Sequence, residues 1–175
     1  TATARISALT LFARACQRYP RMFIALYSTK RSGTWLVATP ETLIGGHCGQ
    51  MHTMALAGTM RPGTGEWSDK NKREQKYVET YITECVRQFS DDINVEGPYT
   101  TYAADLQHLR SDIRFSMNDT ALIGNVVDAL HPTPAVCGIP KDETRRFIID
   151  NESQPRGYYS GFAGPFNPDG DTHLF

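Results

Sequence analysis

Two glutamates have the type and spacing to do chemistry. Glu74 stands three and seven residues before Tyr77 and Tyr81, at the head of a helical stripe of Tyr77, Val78, Tyr81, Ile82, Cys85, Val86 and Phe89. A carboxylate there is costly to desolvate without a partner. It is either a first-turn acid that favours the helix dipole and points to water, or a ligand for a cation. Glu41 follows Pro40 at the end of an apolar run. It is either an exposed turn carboxylate or a general acid. The second role needs burial or a nearby anion to keep it protonated, and Trp35, Leu36 and Leu43 are the apolar residues at hand.

Other candidates are weaker by residue type alone. His108 sits between Leu106 and Leu109 and is either a satisfied core histidine or a group that bonds an anion in either protonation state. Gly58 and Thr59 close the run ALAGT, where glycine allows close backbone approach and threonine offers a hydroxyl; a plain strand end is the alternative. The stretch His131 to Lys141 holds three prolines and one glycine, and reads as a stiff, non-helical loop between two helices. His47, Cys48 and His52 offer metal-ligand types, but no fourth ligand accompanies them. GTMRPGTGEW lacks the strand-GxxxxGK-helix order of a phosphate loop.

The elements that must position these residues follow from periodicity and punctuation. Ile6, Leu9, Phe12, Ala13, Cys16 and Tyr19 space as a helix ended by Pro20. Residues 22–28 and 33–39 read as a hairpin, and 43–56 as a second hairpin turning at Gly45-Gly46 to Gly49. Ser68 or Asp69 caps the helix that carries Glu74. Residues 90–98 read as an acidic surface loop, TYAADLQHL as a short strand, and 119–130 and 142–151 as helices. YYSGFAGPF and THLF read as a last hairpin around the turn Asn167 to Gly170. The order is α+β with antiparallel pairing rather than βαβ alternation.

Composition narrows the function classes. The 175 residues suffice for one domain with a stable core. A net charge of −1 gives no reason to expect nucleic acid or an anionic membrane as partner. No apolar run approaches the ~18 residues of a membrane span, and no signal-like segment opens the chain. The four cysteines form no CxxC pair; Cys16 and Cys85 fall on apolar stripes and read as buried small hydrophobes. A reducing cytoplasm fits this usage, with two disulfides as the alternative. The chain starts without Met and stops at Phe175 on a strand with no evident partner, so a piece of a longer protein is expected.

Six motifs together resemble the chorismate-utilising enzymes. They are TPETL (39–43), ALAGT (55–59), KNKREQ (70–75), LQHL (106–109), HPTPAVCG (131–138) and RGYYSG (156–161), in the family's order and at similar spacings. Within the family the chain looks nearest to isochorismate synthases of the menaquinone kind. The resemblance implies an antiparallel β-sandwich layered with helices, of which residues 1–175 are the middle part of one catalytic domain. It implies Mg2+ as cofactor, with Glu74 as a ligand, and chorismate as substrate. Glu41 would be the general acid that protonates the departing C4 hydroxyl while water attacks C2. Gly58, Thr59, His108, Ala135 and Tyr159 would contact substrate, and Arg156 would either join them or hold its turn. Aminodeoxychorismate synthases carry a nucleophilic lysine where this chain has Ala57, and salicylate and anthranilate synthases generally carry threonine at Ala135. Both differences favour isochorismate as product. The family's general-base lysine would precede Thr1, and further Mg2+ ligands would follow Phe175, so the isolated chain is expected to be inactive.

Overall fold

A computed structural model describes residues 7–175; Ile6, the first residue of the predicted helical stripe, lies outside the described residues. The chain divides into two compact units, Thr1–Glu41 and Thr42–Phe175.

In the first unit, helix α1 (Ala8–Arg18) begins where the Ser7 side chain accepts from the Thr10 amide. The hairpin of β1 (Phe23–Thr29) and β2 (Gly33–Thr39) pairs Tyr27 with Trp35. The Trp35 indole donates to the Ser32 carbonyl at 2.6 Å, folding the side chain towards the hairpin turn. α1 has no buried residue, so Cys16 is exposed rather than buried as its spacing suggests. One helix and two strands make too little core to cover a side chain fully.

The second unit is built on a five-stranded sheet in the order β5-β6-β4-β3-β7. Its strands are β3 (Ile44–His47), β4 (Gln50–Met60), β5 (Ile93–Ala103), β6 (Leu106–Ser116) and β7 (Asp171–Leu174), all antiparallel where they pair. β3 and β4 meet at Cys48-Gly49, which take φ of 47° and 82°. Two left-handed residues in a two-residue turn match the right-handed twist of the strands. Alternate residues of β4 and β6, among them Met51, Ala55, Leu109, Ile113 and Phe115, turn inward.

Helix α2 (Asp69–Arg87) closes that face. Ser68 caps it by accepting from the Asn71 amide, Asp69 sits in its first turn and Arg87 in its last. Val78, Ile82, Cys85 and Val86 pack with Ile113, Phe115 and residues of helix α3 (Ile123–Leu130) into one core. Each fully buried aliphatic side chain there contributes about 1.5–3 kcal/mol. All four cysteines are free thiols. Among the described residues no helix is long and apolar enough to cross a membrane.

Four expectations are corrected. Residues 93–98 belong to β5, not to a loop: Gly97-Pro98 form an irregularity between Glu96 and Tyr99, which an edge strand tolerates because its proline owes no ladder hydrogen bond. The final strand has a partner, since β7 pairs with β3 from Ile44↔Leu174 to His47↔Asp171. The final hairpin survives only in part: Ala163 and Pro165 bond Phe175 and His173, while Tyr158 and Tyr159 stay outside the ladder. The proline-rich stretch contains a single helical turn, α4 (Pro134–Cys137), because proline is favoured at a first helical position. Helix α5 (Lys141–Asn151) follows as expected.

Candidate active site

The β4–β6 ladder breaks at one place. Ala57 pairs with Leu109 and Met60 with Gln107, so Gly58 and Thr59 together face His108. This is a β-bulge, and Gly58 supplies the left-handed residue it needs, with φ of 67°. Glycine is required for a second reason. A Cβ at position 58 would lie 3.3 Å from Trp67 Cζ3 and 3.4 Å from Asn71 Cβ. The bulge therefore packs directly beneath the first turn of α2.

His108 is fixed by the bulge it faces. Its Nδ1 lies 2.9 Å from the Gly58 carbonyl and 3.3 Å from Thr59 Oγ1. A carbonyl only accepts, so Nδ1 carries the proton and Nε2 of the neutral ring is left as an acceptor. Three residues singled out from two separate motifs thus meet at one point. Trp67 joins them unannounced: it covers Gly58, and its indole donates to Thr100 Oγ1 at 2.9 Å. The only sequence signal for it was a tryptophan inside a loop of glycine and proline.

Glu74 lies one turn beyond Asn71 on α2, and its side chain is 46% exposed, 3.4 Å from Lys70 Nζ. It does not head a buried stripe. The apolar residues come in adjacent pairs, and the sheet meets Val78 and Ile82, which are buried, while Tyr77 is exposed. The buried carboxylate of this helix is Glu79, which accepts from Ser111 Oγ and from Lys76 Nζ, both at 2.6 Å. Gln75, fully buried, donates to the Ala55 carbonyl and to Ser111 Oγ. This network fastens α2 to β4 and β6, and so fixes the ridge from which Glu74 projects. Neither Gln75 nor Glu79 was legible as buried.

Glu41 ends the first unit. Its amide donates to Thr39 Oγ1 at 3.1 Å, and burial raises its pKa above the ordinary glutamate value. Ala57 is partly buried against the core and carries no amine. Ala135 is exposed on α4. Tyr159 is 64% exposed, with the Arg156 guanidinium stacked 4.4 Å over its ring. Arg156 is held in turn by Glu152. Tyr159 lines a cleft of about 950 Å³ with His131, Lys141 and Arg145, and that lining does not include Gly58, Thr59 or His108. His52 does not join His47 and Cys48: His47 bonds Asp171, and His52 packs beside Gly45. Among the described residues no three His, Cys, Asp or Glu side chains group to hold a metal ion.

The family model for "chorismate binding enzyme" matches residues 1–175. The chain belongs to the chorismate binding enzymes. This member is 30% identical over 159 residues to the salicylate biosynthesis isochorismate synthase of Pseudomonas aeruginosa, covering 83% of this chain and 33% of that protein. It is 33% identical over 141 residues to isochorismate synthase MenF of Escherichia coli, covering 74% of this chain and 32% of MenF. The solved structure of that menaquinone-specific enzyme superposes with a TM-score of 0.84 at 25% identity, over 97% of this chain and 42% of MenF. The mixed helix and antiparallel-sheet fold is therefore that of MenF. The chain spans about a third of the length of the curated relatives it matches.

Proposed function

We propose that the whole protein is an isochorismate synthase, an isomerase that converts chorismate to isochorismate. The observation that carries this reading is the bulge that brings Gly58, Thr59 and His108 together under the helix bearing Glu74. The relatives support it, because three curated proteins that are 30–33% identical are isochorismate synthases.

In this reading the Thr59 hydroxyl and His108 bond the substrate, and His108 is held in one tautomer by the Gly58 carbonyl. Glu41, whose pKa burial raises, gives its proton to the C4 hydroxyl, which departs as water while another water adds at C2. Ala57 offers no nucleophile for a covalent route. Tyr159 and Ala135 take the roles of further substrate contacts, with Tyr159 on the enolpyruvyl carboxylate.

Glu74 fits the cofactor this family implies. It is a half-exposed carboxylate with only a lysine beside it, and Mg2+ is usually held by one or two carboxylates completed by water and substrate oxygens. When bound, Mg2+ supplies positive charge against a carboxylate of the substrate. A menaquinone role follows the likeness to MenF, and a cytoplasmic location fits four free thiols.

The test is chorismate turnover by the full-length protein, with products separated and identified, in the presence and absence of Mg2+. Isochorismate formed only with Mg2+ is the expected result. Salicylate or anthranilate as the product would overturn the isomerase reading and show that Ala135 does not select the reaction.

A further inference from the structure

A second cluster, unused by the chemistry above, lies at the turn between β3 and β4. His47 closes β3 opposite Asp171, the first residue of β7. Its Nδ1 is 2.8 Å from Asp171 Oδ1, and its Nε2 is 3.1 Å from Cys48 Sγ. A carboxylate only accepts, so Asp171 draws the imidazole proton to Nδ1. That leaves the Nε2 lone pair facing the thiol, which becomes the donor. The order carboxylate, imidazole, thiol is that of an activated nucleophile, with the base oriented by a third group.

The backbone builds this alignment. Cys48 takes φ of 47° in the turn, and its amide donates to the Gly170 carbonyl at 3.2 Å, so the turn is tied to the start of β7. The side chains of His47 and Asp171 are 66% and 71% exposed, and Cys48 is an exposed free thiol. Reagents in solution therefore reach the sulfur.

We propose that Cys48 is an activated thiol, a site of reversible modification by small soluble disulfides, with His47 as base and Asp171 as its positioning group. The thiol proton passes to His47 Nε2. The thiolate attacks one sulfur of the disulfide, the new Cys48–sulfur bond forms as the old S–S bond breaks, and the departing thiolate takes the proton back from His47. The disulfide is the oxidant, and no other reactant is needed.

Cys16, exposed on α1, is an internal standard, since among the described residues no imidazole bonds its thiol. The protein is treated at pH 7 with limiting oxidised glutathione, and in parallel with iodoacetamide, and the modified peptides are quantified by mass spectrometry. Cys48 is expected to react at least about tenfold faster than Cys16. His47→Gln should bring Cys48 to the Cys16 rate. Asp171→Asn should lower it severalfold while leaving the thiol equally exposed, and it carries the test if His47→Gln does not fold. In denaturing urea the two cysteines should react alike. Equal rates in the native protein, or a Cys48 rate unchanged by Asp171→Asn, would overturn the proposal.

Discussion

Ser111 Oγ on β6 donates to Glu79 Oε2 on α2 at 2.6 Å, and both residues are sealed between helix and sheet. Ser111 also accepts from Gln75, so one hydroxyl joins the helix to the strand at two points. Ser111→Ala would leave a buried carboxylate short of a donor, at a cost of about 1–3 kcal/mol. Urea unfolding should show a lower midpoint with an unchanged slope. A midpoint equal to the parent's would mean that Lys76 alone satisfies Glu79.

Glu74 should behave oppositely to Glu79. Its side chain is half exposed, so Glu74→Gln should change stability by less than about 0.5 kcal/mol. In the full-length protein the same change should raise the Mg2+ concentration needed for turnover by at least about tenfold if Glu74 is the proposed ligand. Titrating Mg2+ at saturating chorismate measures this. An unchanged Mg2+ requirement would remove Glu74 from the metal site.

Gly58→Ala puts a side chain on a residue with φ of 67° and brings its Cβ to 3.3 Å from the Trp67 ring. Left-handed backbone alone costs a non-glycine residue about 1–2 kcal/mol. The expected result is lower stability together with altered Trp67 fluorescence in a Trp35→Phe background. Lost stability with no change at Trp67 would show that the ring does not rest on the bulge.

Burial raises the pKa of Glu41, so its proton is held to a higher pH than the ordinary value of 4.5. A general acid works only while protonated, so turnover by the full-length protein should fall as pH rises through the raised value. Glu41→Gln should remove that alkaline fall and lower the rate by about 10²–10⁴-fold. The stability linkage has the same sign. The folded state binds the extra proton between the two pKa values, so the contribution is complete below 4.5 and is lost as pH rises. A rate profile of Glu41→Gln that kept the alkaline fall would assign it to another group.

Histidine 131 predicts the acid limit. Burial, and then the positive charge of Lys141, lower its pKa from 6.5, and its buried Nε2 has no hydrogen-bond partner among the described residues. Its ring stands edge-on to Phe162 at 5.3 Å. His52 is lowered likewise by burial and by His173. A base with a depressed folded pKa contributes stability above its unfolded value that is lost as pH falls. Each histidine should therefore lose its contribution as pH falls from 6.5 through its lowered folded value. His131→Phe should flatten the loss between pH 7 and 5 in thermal or urea unfolding; an unchanged slope would place the acid sensitivity elsewhere.

Local signals in the sequence determined much of this protein. Ser68 and the 3.6-residue stripe set the start and course of α2, because a cap and a periodicity need only neighbours along the chain. The helices around 123–130 and 141–151 were legible for the same reason, whereas the turn read over Gly45 to Gly49 narrows to Cys48-Gly49 because Gly45 and Gly46 pair in β3. So was the order of motifs that names the family. Pairing decided the rest. That Gly58 and Thr59 bulge opposite His108 depends on a register between residues 49 and 50 positions apart, which no local pattern encodes. That Glu79 is buried and Glu74 is not depends on which side of α2 the sheet meets. Gly97-Pro98 reads as a loop until β5 proves to be an edge strand, and the last strand reads as unpartnered until β3 lies beside it. Residue types set what chemistry is available. Long-range packing set which of those residues meet, because strand register and helix facing are chosen by the core as a whole.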